Sequence, residues 1–258
     1  MLTTNSRRPF TKDMDVSPES RSNGGRFYRL VLMAVGGLLT SAAVAVTITP
    51  VKVELSSANP VVTITVTNDA DLPLTLQQQV LAWTQVNGEG HLVESTDLLV
   101  APAIVKIEPR GTQIFRVTQR RPTVAVTERA YRLVLDDVSA IDRQSEVNGV
   151  NVIFSHRLPV FVAGTGKIGP KLHLGKCPNS AEPDCVRLEN DGDQYVQVRT
   201  LIVNGRNWQQ NLGAGNRILA GAWMQWTFAP PPVTAGRLTI TAVTSAGRMS
   251  FELPSPGL

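Results

Sequence analysis

From Thr47 onward the apolar residues recur at a spacing of two far more often than at a helical three or four, which predicts strands with one buried and one exposed face. Val51, Val53 and Leu55 alternate with Lys52 and Glu54. Val62, Ile64 and Val66 alternate with threonines until Asn68-Asp69 ends the run. A longer strand is expected over Leu72–Val86, around Trp83, and Asn87-Gly88 after it is a hairpin signal. Ile104–Ile107 and Gln113–Thr118 flank the turn-like Glu108-Pro109-Arg110-Gly111. Tyr131, Leu133 and Leu135 alternate with Arg132 and Val134. The polar stretch Asp136–Asn148 follows, with Asp136-Asp137 read as a solvated turn, and a last strand is expected from Val150 to Val162. About seven strands at this spacing predict an immunoglobulin-like sandwich, without the cysteine–tryptophan–cysteine arrangement of antibody domains.

Gly164-Thr165-Gly166-Lys167-Ile168-Gly169 reads as a linker. Its glycines also spell a dinucleotide-binding pattern, but that chemistry needs a helix to open there. Pro170 and the alternating Lys171-Leu172-His173-Leu174 predict a strand instead. Val186–Asn190, the turn Asp191-Gly192-Asp193, Gln194–Val203, Leu238–Val243 and Arg248–Leu253 continue the alternation. The expected organisation is a leader over 1–45, a first β domain over 46–163, a linker over 164–169 and a smaller β sandwich over 170–258.

The first 45 residues differ in kind. Arg26 and Arg29 precede the apolar run Leu30–Leu39, and the segment closes on Ala43-Val44-Ala45. A basic start, a short apolar centre and an A-x-A end describe a cleavable secretory signal. The run to Ala45 falls short of the ~20 residues that span a bilayer, so stable membrane insertion after cleavage is not expected. Ser6-Arg7-Arg8-Pro9-Phe10-Thr11-Lys12 resembles a twin-arginine signal, whereas a start at Met14 leaves an ordinary secretory one. Both routes lead out of the cytoplasm.

The 258 residues carry a formal charge of +4, with 42% hydrophobic residues. Six basic and three acidic side chains lie in residues 1–45, leaving 19 basic and 18 acidic in the remainder. A nearly balanced body gives no support to nucleic-acid binding. Export permits disulfides, and Cys177 and Cys185, with two prolines between them, are expected to close one small loop. A metal site is disfavoured, since His173 stands alone near them.

Catalytic patterns are missing: there is no G-x-S-x-G, no H-E-x-x-H, and His91, His156 and His173 are scattered. No enzymatic activity and no cofactor are expected. Trp208, Trp223 and Trp226 raise the thought of a sugar platform, but Trp226 and Phe228 alternate like a buried strand.

An exported pair of β sandwiches with this strand pattern resembles the periplasmic pilus-assembly chaperones of the chaperone–usher pathway. The resemblance is carried by Thr49–Leu55 and Val61–Asn68, by Trp83, by Pro102 with Ile104–Pro109, by Glu128–Leu133, and by Val150–Val162. The ending Arg157-Leu158-Pro159-Val160-Phe161-Val162 is most like the archaic branch. The resemblance implies an all-β protein of two immunoglobulin-like sandwiches set at an angle around a cleft. It implies that the last strand of the first domain is lent to a pilus subunit lacking its own, which protects an aggregation-prone edge, and that the subunit is passed to an outer-membrane usher. Val150, Val152 and Phe154 are then the residues that fill the subunit groove.

Two basic residues of the cleft anchor the subunit's C-terminal carboxylate in this family. The first position matches Lys52, which keeps the charge of the usual arginine but loses its fork. The second falls on Pro159, which carries no charge, and Arg157 two residues away is the expected substitute. The family's Arg-Pro after that strand is Ala163-Gly164 here, so an ion pair that helps fix the domain angle is missing and another contact must replace it. The alternative reading is a structural or adhesive surface protein built from immunoglobulin-like domains.

Overall fold

The structure is a computed structural model, which describes residues 46–122, 124–139, 154–175, 177, 185–204, 206–209, 216–227 and 238–253. Val150 and Val152 lie outside the described residues.

The first sandwich begins with β1 (Val46–Thr49), β2 (Val53–Leu55), β3 (Val61–Asn68), β4 (Leu74–Val86) and β5 (Glu89–Glu94). It continues with β6 (Leu98–Ala101), β7 (Ile104–Ile107), β8 (Thr112–Gln119), β9 (Arg129–Asp137) and β10 (Ser155–Val162). One sheet has the order β1-β3-β8-β6, and the other β2-β10-β9-β4-β5, with β7 also on β4. The chain thus leaves the first sheet after Thr49 and joins the second at Val53. Pro50 between them cannot donate to either ladder, which suits a crossing point.

The inward positions of both sheets form one core, including Val53, Leu55, Ile64, Val66, Leu76, Phe115, Leu133, Leu135, Leu158 and Val160. Their period-two spacing is the reason the strands were readable. Tyr131 is buried there too, and its hydroxyl donates to Asp97 at 2.9 Å. Burial, then this hydrogen bond, pushes the phenol up to about 12. The Asn87-Gly88 turn takes positive φ at both residues, 52° and 80°. Asp136 and Asp137 do not form a solvated turn. They close β9, half-buried, and Asp137 caps the chain by accepting from the Ser139 amide at 2.8 Å.

The second sandwich has β11 (Leu172–Gly175), β12 (Cys185–Asn190), β13 (Val196–Val203) and β14 (Arg206–Gln209). β15 (Arg217–Ile218), β16 (Trp223–Thr227), β17 (Leu238–Thr244) and β18 (Gly247–Leu253) complete it. Its sheets run β11-β12-β16 and β14-β13-β17-β18, with β15 on β13. In β13 the buried residues are Val196 and Val198, then Leu201 and Val203. A register shift between Val198 and Thr200 flips the parity, as an extra residue in one strand must. The disulfide Cys177–Cys185 closes the loop entering β12.

No helix opens at the glycine pattern 164–169. Thr165 and Gly166 instead donate backbone hydrogen bonds to Ala125 and Val126. A Cβ on Gly164 would overlap the Val126 carbonyl, so close backbone approach explains that glycine.

Several contacts join the sandwiches where the ion pair of the resemblance is missing. The Phe161 and Tyr195 rings stack with centroids 3.8 Å apart. Phe161 and Trp83 belong to the second sandwich's core cluster, although both come from strands of the first. The Gln85 amide donates to the Arg217 carbonyl and accepts from the Leu219 amide, both at 2.8 Å. Glu128 accepts from the Tyr195 amide at 2.9 Å, and its own amide donates to the Asp193 carbonyl at 2.9 Å.

Candidate functional site

The site is built on β10. This strand pairs with β9 along its whole length, Ser155–Val162 against Asp136–Arg129. On its other side, β2 covers only Val160–Val162. Ser155–Pro159 therefore present an open edge among the described residues, with unpaired backbone groups along it.

Side-chain parity runs through this edge without a break. Leu158, Val160 and Val162 are buried in the first core. Phe154 has the same parity, and its carbonyl accepts from the Asp137 amide at 3.0 Å, so the pairing with β9 extends to it. Yet Phe154 is 44% exposed. His156 separates it from Leu158, so Phe154 is an exposed apolar side chain of the same parity standing beyond the core.

Basic residues gather on the opposite face. The register Val53↔Val160 sets Lys52 just beyond the end of the β2 pairing, next to Pro159. Its ammonium donates to Glu54 at 2.7 Å and to the Tyr195 hydroxyl at 3.3 Å. The Glu54 hydrogen bond is the main cause of its raised pKa, against a smaller lowering by burial. Lys52 is thus already partnered. Arg157 is exposed and lines a cavity of about 430 Å³ with Trp83, Gln85, Leu92, Arg132 and Met224.

Arg132 is the residue that sequence reasoning passed over. It lies opposite Pro159 in the β9–β10 register. Its guanidinium sits 3.9 Å over the Trp83 ring. Burial lowers its pKa to about 10, helped by the nearby charges of Arg217 and Arg157. Among the described residues, neither Arg132 nor Arg157 makes an ion pair. In the sequence Arg132 is one outward-facing residue of a plain alternation. Only the register could bring it beside Pro159.

Among the described residues, the tryptophans of the second sandwich do not form an open platform. Trp226 is buried, and Trp223 is half-buried beneath the Arg187 guanidinium at 3.7 Å. The side chain of Trp208 lies outside the described residues.

Comparison with known proteins shows what these features are similar to. Residues 45–166 match the family model of the pili and flagellar-assembly chaperone, PapD N-terminal domain. No curated protein sequence matches significantly. Among solved structures, the chain is similar to the CsuC–CsuE chaperone–tip adhesion subunit pre-assembly complex from archaic Csu pili of Acinetobacter baumannii. That match has a TM-score of 0.60 at 16% identity, covering 81% of this chain and 97% of the other. The Salmonella enterica SafA pilin–SafB chaperone complex gives 0.58 at 14% identity, over 81% of this chain and 96% of the other. The E. coli chaperone DraB gives 0.56 at 16% identity, again over 81% and 96%. These likenesses show the two-domain, immunoglobulin-like chaperone fold. Residues 45–166 are thus similar to the N-terminal domain of the pili and flagellar-assembly chaperones, and the solved structures extend the likeness of fold to the second sandwich.

Proposed function

We propose that this chaperone acts in the periplasm, reached through the leader over 1–45, and holds pilus subunits by lending them β10 until an outer-membrane usher receives them. One observation carries the reading: the open Ser155–Pro159 edge continues the core parity of β10 out to the exposed Phe154. A protein missing a strand gains both ladder hydrogen bonds and an apolar side chain from such an edge. Val150 and Val152 extend the same parity upstream in the sequence.

Charge favours one direction for the added strand. A strand laid on the open edge meets β2 at Val160, so its end lies beside Pro159 and Lys52. Lys52 and Arg157 there attract a carboxylate and repel an ammonium. A strand parallel to β10, ending in its C-terminal carboxylate, satisfies both. In this reading Lys52 and Arg157 are anchors, with Glu54 surrendering part of its hold on Lys52 as the carboxylate arrives.

The test is co-expression with a subunit encoded beside the gene, followed by affinity purification of the chaperone. Val152→Asp with Phe154→Asp is expected to lower the recovered subunit by about a hundredfold, since two charges would enter an apolar groove. Equal recovery would refute the reading.

A further inference from the structure

We propose that the connection between β8 and β9, with the segment that follows β10, is a contact surface for an anionic membrane. Arg120, Arg121 and Arg129 hold lipid phosphate there, and Val124 and Val126 enter the headgroup layer. The inference goes beyond the lent strand and uses none of its residues.

The cations come first. Arg120 and Arg121 follow β8, and Arg129 opens β9. With Thr96 and Asp97 they line one cavity of about 280 Å³. Neutral oxygens hold two of them in place. The Arg120 Nε–H donates to the Thr96 carbonyl at 3.0 Å, and Arg129 donates to the Gln119 side chain at 2.7 Å. None of the three makes an ion pair among the described residues. Lys167, also exposed, follows the Thr165 and Gly166 amides that donate to the carbonyls of Ala125 and Val126. It therefore adds a fourth cation beside the same connection.

The carboxylates of this region are occupied by the protein itself. Asp97 accepts from the buried Tyr131 hydroxyl, and Glu128 accepts from the Tyr195 amide. Asp193 is buried and accepts from the amides of Ile168 and Gly169. The face thus carries local positive charge on a body that is nearly neutral as a whole. Guanidinium forks gathered on one cavity suit an oxyanion with several acceptor oxygens, as a phosphate has.

The apolar neighbours point to the source of that phosphate. Val124 is 88% exposed, and Val126 and Ile168 are each 69% exposed. Side chains this far out project from the surface and do not line a groove that a peptide could fill. Burying them needs a medium that closes around them, and the boundary between headgroups and acyl chains does so. Arginine beside projecting valine matches that boundary, with charge at the phosphate level and apolar side chains below it. A few valines bury little area, so the contact is reversible and depends on charge.

The test is flotation of the processed chain, free of the basic leader, with vesicles of phosphatidylcholine alone or mixed with phosphatidylglycerol. Binding to the mixed vesicles, lost as salt is raised and absent with phosphatidylcholine alone, is expected. Arg120→Gln with Arg121→Gln is expected to lower the partition coefficient by about twentyfold, at roughly fivefold for each cation. Val124→Ser with Val126→Ser is expected to lower it about tenfold while leaving the salt dependence as it was. All four side chains are exposed, so an unchanged melting temperature is expected in both variants.

No binding to the mixed vesicles overturns the proposal, and so does binding that survives both variants. Soluble polyglutamate separates an acidic protein from a membrane: if it binds as tightly as the vesicles, with no loss in the valine variant, the membrane assignment falls. Saturation of the arginine Nε–H resonances by inorganic phosphate without vesicle binding marks a free-anion site and has the same consequence. Subunit recovery in the co-expression experiment is expected to be unchanged in both variants. Its loss in step with vesicle binding would assign these residues to the subunit and overturn the membrane role.

Discussion

Each sandwich turns one corner on a buried asparagine, and the two corners end up in different service. Asn68 closes β3, and its amide donates to the carbonyls of Leu72, Ile107 and Glu108 at 2.8–3.2 Å while its oxygen accepts from the Ala70 amide. Asn190 closes β12 and does the same with Gln194, Ile218 and Leu219, accepting from Gly192. The sequences agree as well: Asn68-Asp69-Ala70-Asp71 and Asn190-Asp191-Gly192-Asp193. Up to this point the device is one, used twice, because a strand end that turns into the core leaves carbonyls that only a side-chain amide can reach.

The second aspartate divides them. Asp71 is exposed and pairs with Arg110 at 2.8 Å on the surface. Asp193 is buried, and its carboxylate accepts from the amides of Ile168 and Gly169 in the segment between the sandwiches. Asn190 also accepts from the Lys171 amide at 3.0 Å, a bond that Asn68 has no counterpart for in the first corner. A Cβ on Gly192 would overlap the Gly169 carbonyl, so the second corner needs glycine where the first has Ala70. The same local motif is a plain corner in one domain and a clasp for the connection in the other.

The comparison is most severely tested at its centre. Asn68→Ala and Asn190→Ala each leave several buried carbonyls and amides without partners, so each is expected to cost about 3 kcal/mol or more. Asn190→Ala is expected to be the worse of the two, because one more amide loses its acceptor; denaturant unfolding checks both. Next comes Asp193→Ala, which strips two amides of a charged acceptor and is expected to cost about 2–3 kcal/mol. It should also raise proteolysis between residues 164 and 170, a loss of the clasp that Asp71→Ala should not produce.

A pH effect separates the corners further. Glu128 touches only the second one, and burial pushes its carboxyl up to about 7, with Glu54 and Asp193 adding to the push and the Tyr195 amide and Lys52 opposing it. The folded chain therefore holds this proton more tightly than the unfolded chain does. Its contribution to stability is full below the ordinary carboxylate range, falls as pH rises toward 7, and is flat above. Glu128→Gln is expected to remove that slope, read as the change in melting temperature between pH 5 and pH 8. The smallest effect belongs to the first corner: Asp71→Ala breaks an exposed pair and is expected to change stability by no more than about 0.5 kcal/mol.

Much of the architecture was legible. Residues such as Val62, Ile64 and Val66, or Tyr131, Leu133 and Leu135, state by alternation alone which face is buried, because a strand has no other way to bury them. The repeated Asn-Asp-x-Asp of the two corners went unread in the sequence, because a repeat of four residues carries little weight until both copies are seen to bond alike. The parity flip in β13 was not legible, since a bulge is one extra residue and leaves the local composition unchanged. Nor was the partnership of Lys52 with Glu54 and Tyr195, the last of which lies 143 residues away.

By itself, then, the sequence determined most of the strands, their inward faces, and a basic first 45 residues distinct from a near-neutral remainder. Those are properties of neighbours along the chain, where the period of side-chain directions is fixed by backbone geometry. Only the tertiary structure decided that Arg132 stands opposite Pro159, that its guanidinium rests on Trp83 with Arg157 in the same cavity, and that Phe161, Tyr195, Gln85 and Glu128 join the sandwiches. Those depend on register and packing between distant segments, and a register is set by the whole buried face rather than by any residue in it.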